Sequence, residues 1–152
     1  MAKKKKKEPT SYITPYLLYR DVGSALTFLK KAFGFSEYGS RFKGKDGAVL
    51  HAAMQHSDGS IFMMGSPGPQ FKNPRKLGGV TQIMYITVDA VDKHFARAKK
   101  NGAKILEQPA DTFYGDRRYN AEDPEGHQWA FAQHMRKVPD AELRKAAKEQ
   151  RG

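Results

Sequence analysis

Apolar residues run through this chain in two alternating periods. Tyr12 to Arg20 is rich in Tyr, Ile and Leu and predicts a strand, with Pro15 limiting its early ladder bonds. Ala25, Leu26, Leu29, Ala32 and Phe33 then follow the i, i+3, i+4, i+7 spacing of one helix face. Asp21 or Ser24 can cap that helix, and Gly34 stands where it would end. Strand patterns follow over Phe35–Phe42, Ala48–Gln55 and Ser60–Met64. Gly44-Lys45-Asp46-Gly47 and Ser57-Asp58-Gly59 between them supply hairpin turn chemistry.

The stretch Gly65–Gly79 holds four Gly and three Pro, a linker composition. The pattern then restarts. Gln82–Val88 predicts a strand. Val91, Phe95 and Ala98 make a helical stripe that Gly102 ends. Ala103–Glu107, Asp116–Asn120 and Gln128–Gln133 predict three more strands, the last two joined by the turn Asp123-Pro124-Glu125-Gly126. Each half therefore reads βαβββ, an α+β class, with module one at 11–65, the linker at 66–79 and module two at 80–135. Val22 aligns with Val91 at an offset of 69, and the order of elements carries the repeat more than the letters do. Neither unit can bury a sheet face alone, so the two must pack on each other or on a second chain. Pro139–Arg151 is Ala- and Lys-rich and predicts a surface helix.

Composition narrows the chemistry. The 152 residues suit one globular domain. Cysteine is absent, which excludes disulfides, thiolate nucleophiles and sulfur-ligated zinc. No apolar run approaches the twenty or so residues of a spanning helix, and no apolar run follows the opening lysines. The expected location is cytoplasmic, with no membrane partner. The net charge is +11, and seven of those charges lie on residues 1–9 and 136–152. Residues 1–10 read as a disordered Lys-rich tail. No aromatic residue interleaves Lys3–Lys7 to stack on bases, so a solvated end is expected rather than a nucleic-acid surface. The alternative, anion binding through that tail, would weaken steeply with salt.

Two stretches resemble a known family. Tyr16-Leu-Leu-Tyr-Arg-Asp-Val with Ala25-Leu-Thr-Phe-Leu-Lys-Lys-Ala-Phe-Gly-Phe resembles the first module of the vicinal oxygen chelate superfamily. That group includes glyoxalase I, extradiol dioxygenases, fosfomycin-resistance enzymes and bleomycin-binding proteins. Tyr114-Gly-Asp-Arg-Arg-Tyr and Asp123-Pro-Glu-Gly-His-Gln-Trp resemble its PhnB-like branch. The resemblance implies paired βαβββ modules whose curved sheets surround a cavity, usually in homodimers that often exchange modules. It also implies where a divalent metal would be held. Carried over, those places fall on Thr14, on Ile83 or Gln82, on Ala130, and near Phe62 or Met63. Such residues do not make a metal site of the family's kind, so no metal or other cofactor is expected.

The remaining candidates point to an organic ligand. His51 and Gln55 share one strand face and can bind a polar group if that face lines the cavity; otherwise His51 is a sheet histidine with a hydrogen-bonding neighbour. Phe113, Tyr114 and Trp129 can line a pocket, although Trp129 and Phe131 can equally be core. Arg117 and Arg118 are neighbours on a strand, so one points inward; Arg117 is the candidate to clamp an anion, although such an arginine could equally pair with Asp116 or Glu122. Met54, Met63, Met64 and Met84 can line a cavity or fill the core. His56 and His94 read as exposed, His127 as structural. No nucleophile elbow, phosphate loop or dinucleotide fingerprint occurs. The expected function is metal-free binding of an aromatic or antibiotic-like molecule. The alternative is a metal-dependent lyase, isomerase or dioxygenase of glyoxalase type with atypical ligands such as His51.

Overall fold

A computed structural model of the chain describes residue 8 and residues 12–150. Apart from Glu8, the expected tail at 1–10 lies outside the described residues. The elements run β1 (Tyr16–Leu18), α1 (Val22–Phe33), β2 (Ser36–Lys43), β3 (Val49–Gln55), β4 (Ile61–Gly65), α2 (Pro74–Leu77), β5 (Met84–Thr87), α3 (Val91–Lys100), β6 (Lys104–Asp111), β7 (Asp116–Glu122), β8 (Gln128–His134) and α4 (Asp140–Glu149). They form two four-stranded sheets, ordered β1-β4-β3-β2 and β5-β8-β7-β6. In each, the first strand pairs parallel with the last and the other pairings are antiparallel. The same βαβββ topology thus occurs twice, as the two hydrophobic periods predict.

Local chemistry explains the boundaries. The Asp21 carboxylate accepts the Ser24 N–H at 3.0 Å and starts α1. Gly34, at φ 77°, ends it in the left-handed conformation that glycine adopts without strain. Strand β1 is shorter than its apolar stretch. Pro15 has no N–H to give, and its carbonyl takes the Met63 N–H at 2.8 Å just before the regular strand begins. Strand β6 is longer than expected and runs through Pro109. It lies at the sheet edge, where its register slips between Glu107 and Ala110, so the missing donor costs no interior bond. The Gly- and Pro-rich linker hides a short helix, α2. Pro74 fits its first turn and Asn73 caps it through the Lys76 N–H.

The helix-facing sides of both sheets share one core. Phe33 and Phe35, from the first half, pack on Trp129 and Phe131 with Phe33 and Phe131 centroids 4.7 Å apart. Polar clamps join the halves as well. His94 donates from Nε2 to the Phe33 carbonyl at 2.9 Å, and its Nδ1 receives the Tyr119 hydroxyl. His56 donates to the Thr87 carbonyl and His127 to the Leu18 carbonyl, each at 2.7 Å. His56 and His94 are therefore half-buried rather than solvated, because each imidazole satisfies a backbone carbonyl of the other half. Glu125, in the turn before β8, accepts backbone N–H groups of Arg20 and Asp21. One half's turn thus caps the other half's helix. No helix among the described residues is long and apolar enough to cross a membrane.

Candidate functional site: the open sheet faces

Side chains alternate across a strand, so each sheet turns one face to the core and the other away from it. In the second sheet, Met84, Ile86, Tyr119, Ala121, Trp129 and Phe131 take the core side. Tyr85, Glu107, Asp116, Arg118, Asn120, Ala130 and Ala132 therefore share the open side, in the register Tyr85 to Ala130 to Asn120 and Arg118 to Ala132. The two alanines are themselves covered by the longer side chains beside them. Across that floor the Tyr85 hydroxyl donates to Asp116 Oδ2 at 2.7 Å and lies 3.4 Å from the Tyr114 hydroxyl. Arg118 donates through Nη1 to Tyr114 Oη at 3.0 Å and through Nη2 to Glu107 at 3.2 Å. His134 closes the row on Asp116 Oδ1 at 3.2 Å.

The electrostatics keep this group a donor array. Partial desolvation raises the Tyr85 pKa well above its ordinary value, and its bonds to Tyr114 and Asp116 push the same way. The phenol therefore stays protonated at any physiological pH. Asn120 Oδ1, on the same face, is shut from water, and no described residue donates to it. A water or a ligand donor would satisfy it. A guanidinium and two phenols on this face can orient a planar ligand that carries polar substituents.

The first sheet offers a different surface. The Tyr16 hydroxyl lies 3.1 Å from His51 Nδ1, and the Tyr16 and Phe42 ring centroids stand 5.6 Å and 5.7 Å from the imidazole. Gly65 makes this approach possible, because a Cβ there would collide with the Tyr16 hydroxyl. Met63 and Leu50 extend the apolar surface. Leu50 is the extra residue of a bulge opposite Phe42 and Lys43, and it turns Val49 to the core side. The face shared by His51 and Gln55 therefore does not include Val49.

The structure sorts the expected site residues. Phe113 and Tyr114 lie together in the turn before β7, rings perpendicular and 5.3 Å apart, and Tyr114 joins the Arg118 group. His51 is on the open face of the other sheet. Gln55 shares its strand face, but it is 5% exposed and donates to the Gly59 carbonyl at 3.3 Å, which ties down the hairpin turn. Trp129 is 0% exposed, and its indole N–H donates to Asp123 at 3.1 Å from within the core. It cannot touch a ligand on the open face, because its strand parity puts it opposite Ala130. Arg117 likewise points to the helix side, paired with Asp92 of α3 at 3.0 Å and Asp111 at 3.3 Å. The expected ligand arginine, Arg117, is therefore on the wrong side, and Arg118 is the one that faces the open side. Met54 and Met64 are core, while Met63 faces outward with Tyr16. Sequence reasoning missed Tyr85, Tyr16, Phe42 and Asp116. Tyr85 had a readable signal, since it alternates with the apolar Met84 and Ile86.

Two βαβββ sheets with helices on one side and open faces on the other define a paired-module fold. The family model of the Glyoxalase/Bleomycin resistance protein/Dioxygenase superfamily matches residues 11–131, and the chain belongs to that superfamily. An uncharacterized protein of Mycobacterium bovis is 35% identical over 143 residues, covering 91% of this chain and 93% of the relative. Among solved structures, TioX from Micromonospora sp. ML1 is similar at 30% identity and a TM-score of 0.67, covering 82% of this chain and 99% of that one. TnmS3, an antibiotic binding protein from Streptomyces sp. CB03234, shares the fold at 17% identity and a TM-score of 0.61, covering 82% and 98%.

Proposed function

We propose that this protein binds an aromatic, antibiotic-like small molecule without a metal, between open sheet faces that a second copy of the chain closes. The observation that carries the reading is the Tyr85–Tyr114–Arg118 group, a set of donors and ring faces on a surface with no core role. The closure rests on exposed apolar side chains. Phe42, Leu50 and Tyr16 are 62%, 45% and 43% exposed, and a second copy laid on this face would cover them. The Gly115-Asp116-Arg117 and Asp123-Pro124-Glu125-Gly126-His127-Gln128-Trp129 stretches favour the PhnB-like branch of the superfamily.

The side chains at the family's ligand places support the metal-free reading. Ala130 and Met63, at two of the family's ligand places, both face the open side. A methyl group holds no ion, and a thioether suits only soft ones. Thr14 and Gln82 or Ile83 complete a set that does not fit a divalent catalytic ion. Among the described residues no group of three His, Asp or Glu side chains could hold one.

A thermal-shift screen of aromatic antibiotics and metabolites tests the binding. A ligand at a hundred times its Kd adds about 2.7 kcal/mol, which raises Tm by roughly 5–10 °C in a chain of this size. The shift should vanish in Arg118→Ala. Stoichiometric uptake of Mn, Fe, Ni or Zn by the dialysed protein would overturn the metal-free reading.

A further inference from the structure

A second concavity lies away from the Tyr85–Arg118 group. It is a cleft of about 390 Å³ between the end of β1 and the linker. Arg20 enters it from the loop after β1, and Lys72 and Lys76 enter from the linker. None of the three has an ion-pair partner among the described residues. No acidic side chain lines the cleft there either. The nearby Glu125 is engaged by the backbone of Arg20 and Asp21 and by the Asn73 amide. Arg75, between the two lysines in sequence, is by contrast tied to Glu122 at 2.6 Å. Three cations without an ion-pair partner thus line one concavity against the single nearby carboxylate of Glu125, which leaves a net positive charge there. Phe71, 49% exposed, adds a free aromatic ring at the rim, and Pro67 and Pro69 add apolar walls.

We propose that this cleft binds the phosphate group of an aromatic phosphomonoester, as a site separate from the open sheet faces. A dianion matches three cations better than a single carboxylate does, and the Phe71 ring supplies a face for the ester's aromatic part. Isothermal titration with phenyl phosphate and with inorganic phosphate tests it. Phenyl phosphate should bind the full chain more tightly than inorganic phosphate, and Phe71→Ala should abolish the difference. Lys72→Ala with Lys76→Ala should weaken phenyl phosphate at least about tenfold, as loss of two charge-assisted contacts implies. Both lysines are exposed, so Tm should not move. Arg118→Ala should leave the affinity unchanged, which separates this site from the open-face reading. No saturable binding at millimolar phenyl phosphate would overturn the proposal. So would an unchanged affinity in the double lysine variant, or a loss in Arg118→Ala.

Discussion

The open faces of the two sheets carry different chemistry on one topology. The first surrounds a single imidazole, His51, with Tyr16, Phe42, Leu50 and Met63. The second spreads a phenol–carboxylate–guanidinium net over Ala130 and Ala132. The core sides of the same sheets are alike in kind, built from Met, Ala and aromatic residues that share one cluster. A repeated βαβββ unit thus fixes what must be buried and leaves its other face free to diverge. Fold alone does not set the chemistry of that face.

Breaking the core side should have the largest effect. Trp129→Ala removes a fully buried ring that touches Phe33, Phe35 and Phe62. It should cost about 3–5 kcal/mol in urea unfolding. A loss below about 1 kcal/mol would mean that Trp129 is not core. Next comes Asp123, whose carboxylate accepts the Tyr19 hydroxyl, the Trp129 indole and the backbone N–H groups of Glu125 and His127. Asp123→Ala strands those buried donors and should cost about 3 kcal/mol in the same assay.

The open side should behave in the opposite way. Tyr85→Phe removes one hydroxyl from a half-exposed net and should leave stability within about 1 kcal/mol. Affinity for a screened ligand should nevertheless fall by about fivefold to tenfold. Equal losses of stability and affinity would erase the contrast between the two sides.

The titratable groups give smaller effects. Burial lowers the His94 pKa from its ordinary 6.5, with the Phe33 carbonyl only partly opposing this. The unfolded chain then takes up the proton first, so this contribution is full above about pH 6.5 and is lost as pH falls below it. Urea midpoints at about pH 7.5 and about pH 5.5 should differ in the wild type and less so in His94→Gln. Glu37 is held down to about 2, chiefly by its bond to Arg41, with Lys30 adding to it. Its contribution is present above about pH 4.5 and is lost as pH falls toward 2. Both of its partners are exposed, so Glu37→Gln should flatten an acid-limb effect of less than about 1 kcal/mol.

Much of the fold was legible because the periodicity that predicts elements is the same periodicity that buries them. The α1 stripe named its buried face, and the turn residues placed the hairpins. What stayed hidden was orientation. Trp129 and Ala130 are neighbours in sequence, yet their side chains take opposite sides of the sheet. A near-continuous apolar strand such as Trp129–Ala132 has no polar alternation to reveal which is which. For Arg117 and Arg118 the pairing of one inward and one outward residue was readable, but the choice between them depended on Asp92 arriving from α3. Tyr16 and His51 meet only because Gly65 lets the hydroxyl pass, a cross-strand event that spacing cannot encode. Helix α2 was masked by a composition that reads as linker.

The central claim is that ligand contacts fall on the open faces and not on the helix side. Amide chemical-shift mapping with a thermal-shift hit tests this most directly. The account predicts perturbations clustered on Tyr85, Tyr114, Arg118 and His51, with the α1 and α3 amides unmoved. Perturbations concentrated on α1 and α3, with the open-face amides silent, would contradict it.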